Sequence, residues 1–185
     1  MTEGRRIQKS GDCLEFENST RLSEECSISL KINIMFSQTS KYAIKSVIYI
    51  WTQSLDHRKV GAKEIGNKIE APESFLAKIL QNLVKGKVIG SSKGPTGGFF
   101  ADESHAEITL KDVIIAVEGD HLFSGCSLGL KGCSEKNPCP LHLEIVKVRQ
   151  ELNRMLTSKS IQELALEVMK GETRLSQHTY LCLDN

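Results

Sequence analysis

Residues 73–100 read "ESFLAKILQNLVKGKVIGSSKGPTGGFF", and this stretch decides the fold. In its first half Phe75, Leu76, Ile79, Leu80 and Leu83 recur at helical spacing, so one side of a helix ending near Lys85 carries an apolar stripe. Pro72 suits the first helical position, where its missing N–H costs nothing, and Glu73 in the first turn complements the helix dipole. In the second half two short apolar pieces, Val88 with Ile89 and Phe99 with Phe100, flank a tip of Gly, Ser and Pro. That pattern predicts a β-hairpin with a long glycine-rich loop.

Upstream, Ile44, Ile48, Trp51 and Leu55 recur at steps of four, three and four, which predicts an amphipathic helix over 39–53. A short helix fits 62–69, with Ile65 and Ile69 inward and with Ala62 and Gly66 small enough for two helices to cross closely. Helix, short helix, tight turn, helix and glycine-tipped hairpin is the order of a winged helix-turn-helix. The predicted fold class is therefore mainly α with a small β-hairpin wing, over residues 35–120.

In such a module the third helix enters the major groove. Its outward residues are Ser74, Ala77, Lys78 and Gln81, with Lys85 at its end. Serine and glutamine can bond base edges, and lysine can reach a phosphate or a guanine. At the wing tip, Lys93, Gly94 and Pro95 combine a cation for the narrow minor groove with small residues that let the backbone approach the sugar-phosphate rail. The tip lacks the Lys-Ser/Thr ending of a nucleotide-cradling loop. Residues 41–93 hold ten Lys/Arg against four Asp/Glu, in a chain whose net charge is only +1. That excess points to a polyanion such as double-stranded DNA, although a solvated lysine-rich surface gives the same count.

Downstream, a helix fits 110–117 and ends at Gly119. Residues 125–142 then read "GCSLGLKGCSEKNPCPLH". Of the six cysteines in the chain, Cys126, Cys133 and Cys139 fall here, with His142 three places after the last. Thiolates select zinc, copper(I) or iron–sulfur clusters. The gaps of six and five residues are wider than the C-x2-4-C knuckles of structural zinc sites, and suit a loop wrapped around something bulkier. Gly125, Gly129 and Gly132 help such a loop turn, and Pro138 and Pro140 stiffen it. With Pro140 as the first residue of the next helix, His142 falls in its first turn. The three thiols also suit an oxidation sensor. Cys13, Cys26 and Cys182 stand apart.

After this loop, over 121–142, Leu141, Ile145, Val148, Leu152 and Met155 form a heptad seam of about two heptads. The seam predicts a dimerisation helix that pairs two copies of the chain. A last helix fits 160–168, so 141–170 is read as dimerisation helix plus C-terminal helix, and 171–185 as a flexible tail. Residues 1–34 carry five basic and six acidic residues without a clean period, and read as a poorly ordered extension.

Composition agrees with a soluble globular chain: 39% hydrophobic, 25% charged, in 185 residues. No apolar run approaches the ~20 residues that span a bilayer. The N-terminal basic residues are followed by polar sequence rather than by a signal core, so the expected compartment is the cytoplasm, with no membrane partner. No nucleophile elbow, His-Glu-x-x-His or paired carboxylates can be placed, so the chain is not expected to be an enzyme.

The stretches "MFSQTSKYAIKSVIYI" and "SFLAKILQNLVKGKVIGSSKGPTGGF", the helix at 110–117 and the three-cysteine loop, in that order, resemble the Rrf2 family of bacterial transcription regulators. The resemblance covers about residues 35–168. It implies a homodimer with a winged helix, a long dimerisation helix and, between them, an iron–sulfur cluster, [2Fe–2S] in preference to [4Fe–4S], that sets affinity for a DNA operator. It implies Cys126, Cys133 and Cys139 as cluster ligands, His142 as the histidine ligand of IscR-type members, and Lys93, Gly94 and Pro95 as wing contacts. A zinc-bound or oxidation-sensing loop in a DNA-binding regulator is the alternative, and a small electron-transfer or cluster-delivery protein is one of another class. Three positions depart from the family pattern. The first cysteine gap is six rather than five. Lys41 stands before Tyr42 where some members carry an aspartate ligand. Ala77 stands where IscR-type members carry a glutamate.

Overall fold

The computed structural model describes residues 36–175. The expectations for 1–34 and for most of the C-terminal tail lie outside the described residues. The described elements are α1 (Gln38–Ser54), α2 (Ala62–Ile69), α3 (Glu73–Lys85), β1 (Gly90–Ser92), β2 (Gly98–Phe100), a 3-10 turn (Glu103–His105), α4 (Leu110–Glu118), α5 (His142–Thr157) and α6 (Ile161–Met169). The result is mainly α with one two-stranded hairpin.

Helix α1 is the centre of the core. Ala43, Val47 and Ile50 are wholly inaccessible, and Trp51 and Ile48 nearly so. The expected stripe of Ile44, Ile48, Trp51 and Leu55 is thus displaced: Ile44 and Leu55 are only half-buried. The reason is tertiary. Helices α3, α4 and α6 all pack on α1, so its buried face is wider than a single amphipathic stripe. Two of the hydroxyls carried inside are satisfied locally: Ser46 donates to the Tyr42 carbonyl at 2.7 Å and Thr52 to the Tyr49 carbonyl at 2.8 Å.

Helices α2 and α3 form the tight pair. Ile65, Gly66 and Ile69 are buried between them. A Cβ at Gly66 would lie 3.2 Å from the Ala71 carbonyl oxygen and 3.4 Å from Leu76 Cδ2, so a larger side chain would push the helices apart. Pro72 is the N-cap of α3 rather than its first helical residue, with its carbonyl accepting from Leu76 at 3.0 Å. Leu76, Ile79, Leu80 and Leu83 are core residues. Phe75 is not. It is 41% exposed and meets the Tyr42 ring edge-on at 6.0 Å.

The hairpin pairs Gly90 with Phe100 and Ser92 with Gly98, antiparallel. Val88 and Ile89, expected in its first strand, are instead fully buried just before it. A third row comes from Val60, which exchanges backbone hydrogen bonds with Phe99 at 3.0 and 2.9 Å. Gly98 is required there, because a Cβ would fall 2.9–3.1 Å from the Val60 backbone.

Helix α4 starts on a Thr109–Asp112 capping box and α6 on a Ser160–Glu163 capping box. Ile161 N donates to the Ile108 carbonyl at 2.7 Å, which returns α6 to the core, where Ile161 and Ala165 are buried. Between them α5 begins at His142, two residues later than Pro140, the expected start. Only Leu156 of α5 is buried. Of the expected seam, Ile145 and Leu152 are half-buried, while Leu141, Met155 and, at 61%, Val148 are exposed. Among the described residues no helix is long and apolar enough to cross a membrane.

Candidate functional site

The segment between α4 and α5 folds by short local turns, and each cysteine flanks one of them. Gly129 N donates to the Cys126 carbonyl at 2.9 Å. Ser134 and Asn137 exchange backbone bonds at 3.2 and 3.1 Å, just after Cys133. His142 N donates to the Cys139 carbonyl at 3.0 Å. Gly125, Gly129 and Gly132 all take positive φ, the use expected of them.

These turns bring Cys126, Cys133 and Cys139 together, with all three Sγ atoms within 4.8 Å of one another. Cys126 Sγ and Cys139 Sγ are 3.7 Å apart, and Cys133 Sγ is 3.3 Å from His142 Nδ1. All three are free, half-buried thiols. The donor set of three sulfurs and an imidazole is that of a thiophilic centre. Four ligands at zinc-like bond lengths would hold sulfurs about 3.8 Å apart, so the cluster of sulfurs fits without rearrangement on a larger scale.

The three thiols are not equivalent. Hydrogen bonds from the backbone N–H groups of Leu130 and Leu128 stabilise the Cys126 thiolate and bring that thiol down to about 7. At Cys133 the Cys139 backbone N–H also favours the thiolate, but desolvation and the neighbouring thiols outweigh it, so this thiol is raised.

Two cations that sequence reasoning did not single out tie the segment to the helices around it. Arg149 of α5 donates to the Gly125 carbonyl at 2.6 Å and reaches Ser127 Oγ at 3.5 Å. Lys111 of α4 donates to Asn153 of α5 at 2.7 Å and lies 5.2 Å over the Phe123 ring. A third tie was equally silent: the Glu118 carboxylate accepts from Ser40 Oγ at 2.8 Å and from Ser40 N at 3.2 Å.

The second candidate surface is the outer face of α3 with the wing. Ser74, Ala77, Lys78, Gln81 and Lys85 are all exposed, opposite the buried Leu76–Leu80–Leu83 face. Lys93, Gly94 and Pro95 are exposed at the hairpin tip, which is closed by a Gly97 N to Gly94 carbonyl bond of 2.9 Å. The structure adds Lys59, whose ammonium donates to Ser92 Oγ at 3.1 Å and sits 5.2 Å over Phe100. Its partner Ser92 lies 33 residues away in the chain, so no local pattern marked it.

Comparison with known proteins agrees with this architecture. The model of the Rrf2 family, described as an iron-dependent transcriptional regulator, matches residues 36–167. A protein of Aquifex aeolicus named as an HTH-type transcriptional regulator is 30% identical over 133 residues, 71% of this chain and 91% of its own length. The HTH-type transcriptional regulator IscR of Photorhabdus laumondii is 25% identical over 67% of this chain and 74% of its own. Among solved structures, IscR of T. potens superposes with a TM-score of 0.60 at 17% identity, covering 78% of this chain and 95% of that one. CymR, the global cysteine regulator of B. subtilis, gives 0.58 at 19% identity, covering 71% and 95%. These two likenesses establish a shared fold. The matched model, spanning the winged helices, the cysteine segment and most of α6, and the Aquifex relative, matched over nearly its whole length, carry the assignment further: this chain belongs to the Rrf2 family of transcriptional regulators.

Proposed function

We propose that this regulator binds an operator through α3 and the wing, and that the cysteine segment governs the affinity by holding an iron–sulfur cluster. The observation that carries the reading is the convergence of three free thiols, in the segment that joins the DNA-reading elements to α5, with the imidazole of the first residue of α5. Cys126, Cys133, Cys139 and His142 would hold the cluster, and a bound cluster supplies a redox- and iron-sensitive crosslink between turns that are otherwise independent. A [2Fe–2S] centre takes two protein ligands on each iron. Cys126, Cys133, Cys139 and His142 supply the four ligands that such a centre needs, and on that count we favour it.

On the DNA side, Ser74, Ala77, Lys78 and Gln81 face the major groove, Lys85 its edge, and Lys93, Gly94 and Pro95 the minor groove. The exposed apolar side chains of Leu141, just before α5, and of Val148 and Met155 on it pair with those of a second copy. A homodimer then presents two recognition helices to a roughly palindromic site. A bias of about 1.4 kcal/mol between two relative poses changes operator affinity tenfold.

A second reading has its own support. Three sulfurs within 4.8 Å of one another also suit one tetrahedral zinc ion, and thiols 3.7 Å apart suit oxidation to a disulfide. The experiment that separates these is anaerobic purification with a visible spectrum, iron, zinc and sulfide analysis, and the mass of the species in solution. Brown protein with iron and sulfide, at twice the chain mass, is the expected result. Colourless protein with zinc, or with no metal, contradicts the cluster.

A further inference from the structure

We propose that Glu118 is the positioning residue through which the cysteine segment acts on the DNA-reading helices, serving as a cap on α1 supplied from 78 residues away. The inference rests on the reading that occupancy of the cysteine site changes DNA binding, and it names the hydrogen-bonded group that transmits the change.

Helix α1 has no acidic residue in its own first turn. Ser37 caps it by accepting from Ser40 N at 3.1 Å. Glu118 then adds a carboxylate: the same Oε1 accepts from Ser40 N at 3.2 Å, from Ser40 Oγ at 2.8 Å and from Ser37 Oγ. A negative charge at this end of a helix is favoured both by the unpaired N–H groups and by the dipole. Ser40 is only 1% exposed, so its hydroxyl depends on such a partner.

The position of Glu118 in the chain makes this cap more than a local brace. It is the last residue of α4. Gly119, at φ 80°, turns the backbone out of the helix, and Cys126 follows seven residues later. Farther along, Arg149 fixes the Gly125 carbonyl to α5, and Lys111 anchors α4 to Asn153. A change in the pose of residues 119–125 is therefore felt first at the Glu118 carboxylate. On its other side α4 touches the end of the recognition helix: a Cβ at Gly86, the C-cap of α3, would fall 2.7 Å from Ala116 Cβ. No slack separates those two helices, so a small rotation of α4 must be shared with α3 or released at the cap on α1. The carboxylate, held by three donors when seated and by none when withdrawn, gives that linkage two discrete arrangements.

The test compares full-length wild type, Glu118→Ala, Glu118→Gln, Ser40→Ala and the double variant that combines Glu118→Ala with Ser40→Ala. Each is reconstituted with ferrous iron and sulfide, and also prepared metal-free. The probe is a duplex selected from a random pool by the wild-type protein, and the readout is the ratio of the two dissociation constants. The wild-type ratio is expected to be about tenfold, and in Glu118→Ala and Ser40→Ala to fall below about twofold at unchanged iron per chain. Glu118→Gln, which keeps an acceptor oxygen without the charge, is expected to fall between. In the double variant, Ser40→Ala adds nothing to Glu118→Ala. A cap that serves stability alone would lower the melting temperature and weaken both forms equally. An unchanged ratio in Glu118→Ala and Ser40→Ala therefore overturns the proposal while leaving the proposed function standing. A wild-type ratio of one, or no iron taken up, overturns the functional reading and the coupling with it.

Discussion

His142 Nδ1 lies 3.3 Å from Cys133 Sγ, across nine residues of chain, and His142 is itself the first residue of α5. The imidazole is thus carried by the rigid helix while the sulfur is carried by the turn beneath it. Were both to bind one centre, its occupancy would become a constraint between loop and helix.

That division of labour makes His142 separable from the cysteines. His142→Ala is expected to retain some iron but to lose it at least about tenfold faster to a chelator, since even outer-sphere partners contribute 10–100-fold to metal affinity. Release rates followed by visible absorbance test this. Rates equal to wild type would remove His142 from the ligand set.

In the metal-free protein the thiols should react in sequence with pH. Cys126 titrates at about 7. Below that value it is a protonated, unreactive thiol, and above it a thiolate. Cys133 is shifted the other way and stays protonated to higher pH. Iodoacetamide labelling read by peptide mass should therefore give Cys126 a midpoint near pH 7 and Cys133 a later one. A common midpoint for both would contradict the backbone N–H stabilisation at Cys126.

Two wing lysines should behave differently. Lys93 is exposed at the tip, whereas Lys59 spends its ammonium on Ser92 and the Phe100 face. Lys93→Ala should flatten the log–log salt dependence of DNA binding by about 0.9, the slope carried by a single neutralised phosphate. Lys59→Ala should weaken binding with little change in slope, by loosening the hairpin. Gel shifts across a salt series decide between them, and an unchanged slope for Lys93→Ala would take it out of the interface.

Gly98→Ala should destabilise the fold by about 1–3 kcal/mol, because the added methyl falls 2.9–3.1 Å from the Val60 backbone. Val60 and Phe99 hold each other by two hydrogen bonds, so neither can retreat cheaply. Urea unfolding measures it, and an unchanged midpoint would mean that the wing strand is free to shift.

What the sequence made legible was local. Helical spacing at Leu76, Ile79, Leu80 and Leu83, and the Gly-Pro-Thr-Gly-Gly tip after Lys93, fix element type within a few residues, because turn chemistry and periodicity act over that range. The grouping of Cys126, Cys133 and Cys139 was legible too, since it needs only short turns. Features decided by distant partners were not. Ile44 is as apolar as Ala43, but the helices packing on α1 bury Ala43 completely and Ile44 only in part. Nothing near Glu118 in sequence announces Ser37 and Ser40, and Arg149 looks like any surface cation of a long helix until its fork meets the Gly125 carbonyl. The start of α5 slipped from Pro140 to His142 because Cys139, Pro140 and Leu141 are used in the last turn of the loop.

The most direct test of the central claim, that the cysteine site governs DNA affinity, is one dissociation constant measured on three samples: anaerobically purified protein, the same protein after iron removal, and Cys133→Ala. The first should differ from the second by about tenfold or more, and Cys133→Ala, lacking visible absorbance, should match the second. Equal affinities in all three samples, with iron and sulfide confirmed in the first, would contradict it.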